Sequence, residues 1–337
     1  MRIKKVHLFQ LAIPDHFGEK GRDFVFLRLD AESTSGWGET SPLSVKLSAL
    51  LLDFKHNLIP FVLQTPFDNL EDFNALLSVM KTSPEARAAL EMAVWDLFSQ
   101  TQKDFASTHL PQLSPRLTEG RIFQSESEKW SEFPDVVLLR ISPENLDKMR
   151  PFIAKELLNH RLVLDAQGLF SEHTAQALAT FSSFRVEFLL DPFPPADWHR
   201  VTDWRSLWKM PVGALRSLED ILAMERLCQS DRPDWVVVDP WRTGGLIQAG
   251  RILKLAEECR LPAAVLAEGR WPLGRFWTRR LGANSSNVRL FLNAPAEEPP
   301  ETAWPDSLKG AVSQSKIDFT RFFERLRPWV VKQEEFW

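Results

Sequence analysis

From about residue 119 onward, short apolar runs recur roughly every 20 to 27 residues, with helical stretches filling most of the gaps. The runs are 121–123, 136–141, 162–165, 186–191, 212–215, 235–239, 262–267 and 288–292. The clearest helical stretches between them are 145–159, 174–181, 218–228 and 246–259. Eight strands alternating with helices predict a parallel sheet closed as a (β/α) barrel. An open doubly wound sheet is the other way to satisfy the same rhythm, but no G-x-G-x-x-G follows the first strand. A chain of 337 residues has room for one further domain beside such a barrel.

The first 117 residues read differently, as α+β. Strand-like runs occupy 4–13 and 24–30, Gly36-Trp37-Gly38 reads as a turn, and 84–100 reads as a helix. On that helix Ala86, Ala89, Leu90, Ala93, Val94 and Leu97 form one apolar stripe. Arg87 and Glu91 are spaced for an i,i+4 ion pair on its flank.

Composition removes several classes of function. Lys and Arg number 41 against 45 Asp and Glu, a net charge of −4, without the basic excess that nucleic acid or an anionic membrane demands. No apolar run reaches the length of a membrane span, and the opening residues lack a cleavage signal, so a cytoplasmic protein is expected. The two cysteines, Cys228 and Cys259, exclude a disulfide framework and a Cys-rich zinc site. Seven histidines form no metal or triad spacing, and the absence of Tyr removes phenol from the possible acids.

In a barrel the chemistry gathers where the strands end at their C-terminal side. Those ends carry Arg140, Asp165, Asp191, Leu215–Arg216, Asp239 and Glu268–Arg270. Carboxylates converging on one mouth suit a hard cation such as Mg²⁺, although a strand-terminal Asp also serves as a helix cap.

Longer motifs carry a resemblance. GWGETSPL at 36–43 and ARAALEMAVWDL at 86–97 resemble capping-domain segments of the enolase superfamily. LDAQG at 164–168, FLLDP at 188–192 and TGGL at 243–246 resemble its barrel motifs. The chain thus resembles the muconate-lactonizing group of that superfamily, and most resembles the o-succinylbenzoate synthases. The resemblance implies an α+β capping domain at 1–117, a (β/α)7β barrel at 118–300 and a tail at 301–337 that packs back on the capping domain, chiefly through 317–326. It also puts a mobile loop over the substrate at 17–22.

The chemistry it implies is a lyase reaction, dehydration of a succinyl-hydroxycyclohexadiene carboxylate in menaquinone biosynthesis. Three carboxylates would hold Mg²⁺ while a lysine abstracts a proton. Asp165 matches the first ligand, Leu190 stands in the place of the second with Asp191 one position later, and Leu215 stands in the place of the third beside Arg216. Leu138 and Arg140 stand where the family has a lysine pair, Asp239 where it has the opposing lysine, and Arg270 where it has an acid. Strand alternation predicts that Asp191 faces away from Asp165 unless a bulge intervenes.

Three functions follow from this pattern. The first is the synthase reaction, with Asp165 and Asp191 as metal ligands. The second is a non-catalytic relative that binds a small carboxylate or another anionic partner through Arg216, Arg270 and Glu268. The third is a metal-independent enzyme with Asp239 as base and Arg140 as oxyanion clamp. The inverted charges further predict that a guanidinium, from Arg216 or Arg270, takes the cation's place between Asp165 and Asp239.

Overall fold

In a computed structural model of the protein the described residues are 1–13, 22–101, 117–123, 135–230, 232–270, 272–295, 323–324, 326–327 and 330–337. Most of the loop expected at 17–22 and most of the tail expected at 317–326 lie outside them.

The N-terminal domain is built on β1 (Lys5–Ile13), β2 (Arg22–Asp30) and β3 (Ser35–Thr40), paired antiparallel in that order. Helices α1 (Leu47–Asp53), α2 (Ile59–Gln64), α3 (Leu70–Ser78) and α4 (Pro84–Thr101) follow. The segment read as a glycine turn is instead the third strand, with Gly36 opposite Leu29 and Gly38 opposite Leu27. The glycines serve close approach. A Cβ on Gly38 would sit 1.9 Å from the Ala89 carbonyl oxygen, and one on Gly36 would sit 2.1 Å from that of Ala93. Backbone of β3 therefore packs directly on the alanine face of α4, which any larger residue would hold apart.

That helix is also more deeply buried than one stripe provides. Ala88, Glu91, Met92, Trp95 and Phe98 are buried in addition to the predicted face. α4 lies between the sheet and the barrel, so both of its sides are covered.

The barrel strands are β4 (Thr118–Ile122), β5 (Val136–Arg140), β6 (Arg161–Asp165), β7 (Val186–Leu190), β8 (Val212–Ala214), β9 (Trp235–Val238), β10 (Ala263–Arg270) and β11 (Val288–Pro295). All neighbouring pairs are parallel and the sheet closes on itself. The outer layer includes α5 (Leu146–Glu156), α6 (Glu172–Ala175), α7 (Val201–Trp208), α8 (Ile221–Gln229), α9 (Pro240–Thr243), α10 (Leu246–Glu258) and α11 (Pro272–Ala283). The stretch expected as a helix at 174–181 is one α turn followed by a 3₁₀ turn, Gln176–Phe181.

Two cores result. A large one runs between strands and helices and continues into the capping domain. The other fills the barrel interior with Ile122, Val136, Leu138, Val163, Phe188, Leu190, Leu215, Trp235, Val237, Ala264, Leu266, Leu290 and Leu292. Every member is apolar, as in a packed barrel rather than a pore. No described helix is long and apolar enough to cross a membrane.

The last strand, β12 (Val330–Phe336), returns to the capping sheet and pairs antiparallel with β1, with Val6 opposite Phe336. Phe323 packs against both Phe9 and Trp37, with ring centroids 4.5 and 4.6 Å away.

Candidate functional site

Strand direction brings the predicted residues to one end of the barrel, and side-chain contacts then divide them into three groups.

The first group is built on one arginine. Asp165 is the last residue of β6, and Asp191 follows the last residue of β7. Strict alternation predicts that Asp191 turns away, but the chain leaves the strand there with φ of 45°. Asp is one of the few residues that adopts this left-handed backbone at modest cost. Asp191 is re-aimed by it. One carboxylate oxygen accepts the N–H of Leu215 at 2.9 Å and the other that of Arg216 at 3.0 Å. Arg216 then folds back, and its Nη1 donates to Asp191 Oδ2 at 2.9 Å and to Asp165 Oδ1 at 3.0 Å. The predicted guanidinium between two acids is present, but its second acid is Asp191 and not Asp239.

Burial sets the electrostatics of this triad. Asp191 is 1% exposed and its carboxyl is pushed up to about 6, because desolvation outweighs the pull of Arg216 and two backbone donors, and the charge of Asp165 adds to the rise. Burial alone would lower Arg216, yet the combined charges of Asp165 and Asp191 hold it above its ordinary value.

The second group is Arg140 with Glu268. Arg140 ends β5, Glu268 lies in β10, and the guanidinium Nη2 contacts the Glu268 carboxylate. This pair is more open, with side chains 38% and 26% exposed. The side chain of Arg270 lies outside the described residues.

Asp239 belongs to the third group. It precedes α9 and its carboxylate accepts the N–H of Trp241 at 2.9 Å, with Arg242 Nε 3.8 Å away. A buried Asp holding a helix start is acting as a cap. Trp241 in turn donates its indole N–H to the Glu39 carbonyl at 2.8 Å, which ties this turn to the capping domain.

Among the described residues, this mouth does not offer three free carboxylates to a Mg²⁺ ion. Asp165 and Asp191 already share a protonated guanidinium, and Leu215, in the place of a third ligand, belongs to the apolar interior. Among the described residues no group of three or more His, Cys, Asp or Glu side chains is arranged to hold a metal.

Sequence reasoning missed two buried acids at the domain boundary. Glu91 is not on a flank. It is 3% exposed, and its Oε1 accepts the N–H of Ile247 at 2.9 Å at the start of α10. Desolvation pushes it up to about 8 against the pull of backbone donors and of Arg87 and Arg251. Glu39, 1% exposed, lies with one carboxylate oxygen against Gly274 of α11. The only signal for the Glu91 contact is the glycine pair at 244–245, since a Cβ on Gly245 would sit 1.6 Å from a Glu91 carboxylate oxygen.

Comparison with known proteins agrees with this architecture. Residues 144–313 match the enolase C-terminal domain-like family, and residues 9–105 match the N-terminal domain of the mandelate racemase/muconate lactonizing enzymes. Among characterised relatives, the o-succinylbenzoate synthase of Listeria innocua is 21% identical over 285 residues, covering 77% of this chain and 75% of its own. That of Desulfotalea psychrophila is 25% identical over 194 residues, which is 52% of each chain. The N-succinyl Arg/Lys racemase of Bacillus cereus superimposes with a TM-score of 0.79 over 100% of both chains at 13% identity. The L-Ala-D/L-Glu epimerase of Bacillus subtilis gives 0.74 at 18% identity, over 86% of this chain and 89% of its own. With a closed parallel barrel, an antiparallel capping sheet and both domains matched, the chain belongs to the enolase superfamily.

Proposed function

We propose that this member of the superfamily has given up metal-assisted proton abstraction and keeps its barrel mouth as a recognition site for a small carboxylate, in the cytoplasm. The observation that carries the proposal is Arg216 bridging Asp165 and Asp191. A guanidinium stays protonated at any physiological pH, so it neither abstracts a proton nor leaves the acids free for a cation. Below it, Leu138, Leu190 and Leu215 offer no ionisable group to a substrate. Asp239, another candidate base among the described residues, is engaged as a cap.

Among the described cations of the mouth, Arg140 is the more exposed one. Its partner Glu268 is held at a partly exposed position, so an incoming carboxylate can replace Glu268 without stranding a buried charge. Arg216 cannot exchange in this way, because Asp191 would be left unpaired in the interior.

The synthase reaction is a second reading, favoured by the name that both characterised relatives carry. One experiment separates the two. The purified protein is assayed for dehydration of the succinyl-hydroxycyclohexadiene carboxylate with millimolar Mg²⁺ and with chelator, and succinate binding is followed by calorimetry in parallel. Succinate binding that Arg140→Met abolishes, without turnover in either buffer, supports the carboxylate site. Mg²⁺-dependent turnover overturns it in favour of the synthase.

A further inference from the structure

The chain contains two cysteines, and the fold brings them together. Cys228 is in the last turn of α8 and Cys259 follows the last residue of α10, on two helices that pack side by side. Both stand at the C-terminal ends of these neighbouring helices, where the two thiols interact. Both are free thiols and both are half-buried, so the pair is open to a small oxidant. Neither takes part in the barrel mouth. A lone half-buried cysteine is unremarkable, but two random positions in a chain of this length seldom meet.

We infer that Cys228 and Cys259 form a reversible redox modification site, closing to an intramolecular disulfide under hydroperoxide. The bond would link α8 to α10 and enclose β9, the Asp239 cap and α9 within one covalent loop. That loop includes Trp241, whose indole N–H holds the capping domain.

Burial and the neighbouring Cys259 push the Cys228 thiol up to about 12. Arg232 is anchored beside the pair, donating from Nη2 to the Cys259 carbonyl. In the first step one of the two sulfurs attacks one peroxide oxygen and the O–O bond breaks. Sulfenic acid and one water are formed. In the second step the other sulfur displaces hydroxide from the sulfenic acid, which takes up the thiol proton and leaves as a second water. Two thiols are oxidised and one peroxide is reduced.

The test uses the intact, reduced protein treated with equimolar hydrogen peroxide at neutral pH. We expect the count of reactive thiols to fall from two to none, the intact mass to drop by two hydrogens, and the chain to remain monomeric on a non-reducing gel. Dithiothreitol restores the starting species. Either Cys228→Ser or Cys259→Ser should instead stop at the oxygen adduct on the remaining cysteine, trapped by dimedone. Covalent dimers, a mass gain from sulfinic acid in the unsubstituted protein, or thiols that persist would each overturn the assignment. Repeating the reaction in guanidinium separates a folded-state pair from chance collision, since the expected disulfide forms at least tenfold faster in the native protein.

Discussion

Glu91, on the capping-domain helix α4, accepts the backbone N–H of Ile247 at the start of the barrel helix α10, 2.9 Å away and out of contact with water. A fully buried carboxyl is held at about 8 in the fold and titrates near 4.5 in the unfolded chain. The native state therefore binds the extra proton between these values, and stability declines as pH rises through that window. Asp96, half-buried where it accepts the Trp37 N–H, is raised to about 7 by desolvation and acts in the same direction. Chemical denaturation at several pH values should show stability falling by up to about 1.4 kcal/mol per pH unit for each group. Glu91→Gln keeps an acceptor for Ile247 and should flatten the slope, staying within about 1 kcal/mol of the parent below pH 6.

Arg216→Met removes the shared counter-ion of two buried carboxylates. The expected loss is about 3 to 5 kcal/mol at neutral pH, because Asp165 and Asp191 then repel one another inside the protein. Acidification should recover part of it by protonating Asp191, the more buried acid. Thermal melts at pH 5 and 7 check both statements, and a variant as stable as the parent would show that the bridge carries little energy.

Gly38→Ala tests the contact between β3 and α4. Its methyl carbon would lie 1.9 Å from the Ala89 carbonyl oxygen, and backbone on both sides cannot yield as a flexible side chain would. A destabilisation of about 3 kcal/mol or more is expected from urea titration. The same substitution at an exposed strand glycine would cost far less.

Trp241→Phe keeps an aromatic side chain but deletes the indole N–H and shrinks a fully buried ring system. The Glu39 carbonyl would lose a buried donor, at a cost of about 1 to 3 kcal/mol. Because this bond spans the two domains, hydrogen exchange should quicken in β3 as well as around α9.

Most of the fold was legible because its signals are local. The period of the apolar runs announced the barrel, and the first two strands of the capping domain declared themselves by hydrophobicity, while β12 did not. Gly36-Trp37-Gly38 misled because glycine permits both a turn and a close backbone contact, and only the alanine face of α4 decides between them. At the site, the strand-end positions of Asp165, Arg216 and Arg140 were readable. The partner of Arg216 was not, since it depends on a single left-handed residue at Asp191 that breaks the strand's alternation. The position of Asp239 at a strand end was readable too, whereas its cap on the Trp241 N–H was not, since that is set by the direction of the next peptide. Glu91 was misplaced because i,i+4 spacing beside Arg87 says nothing about which helix face another domain will cover.

The pairing of β12 with β1 has a consequence for biosynthesis. The strand that completes the capping sheet leaves the ribosome only after all eight barrel strands, so the domain translated first is finished last. Until then β1 presents an open, apolar edge to the cell. A truncation that removes Val330–Phe336 would therefore injure the opposite terminus, and such nascent chains are natural clients for chaperones that shield strand edges.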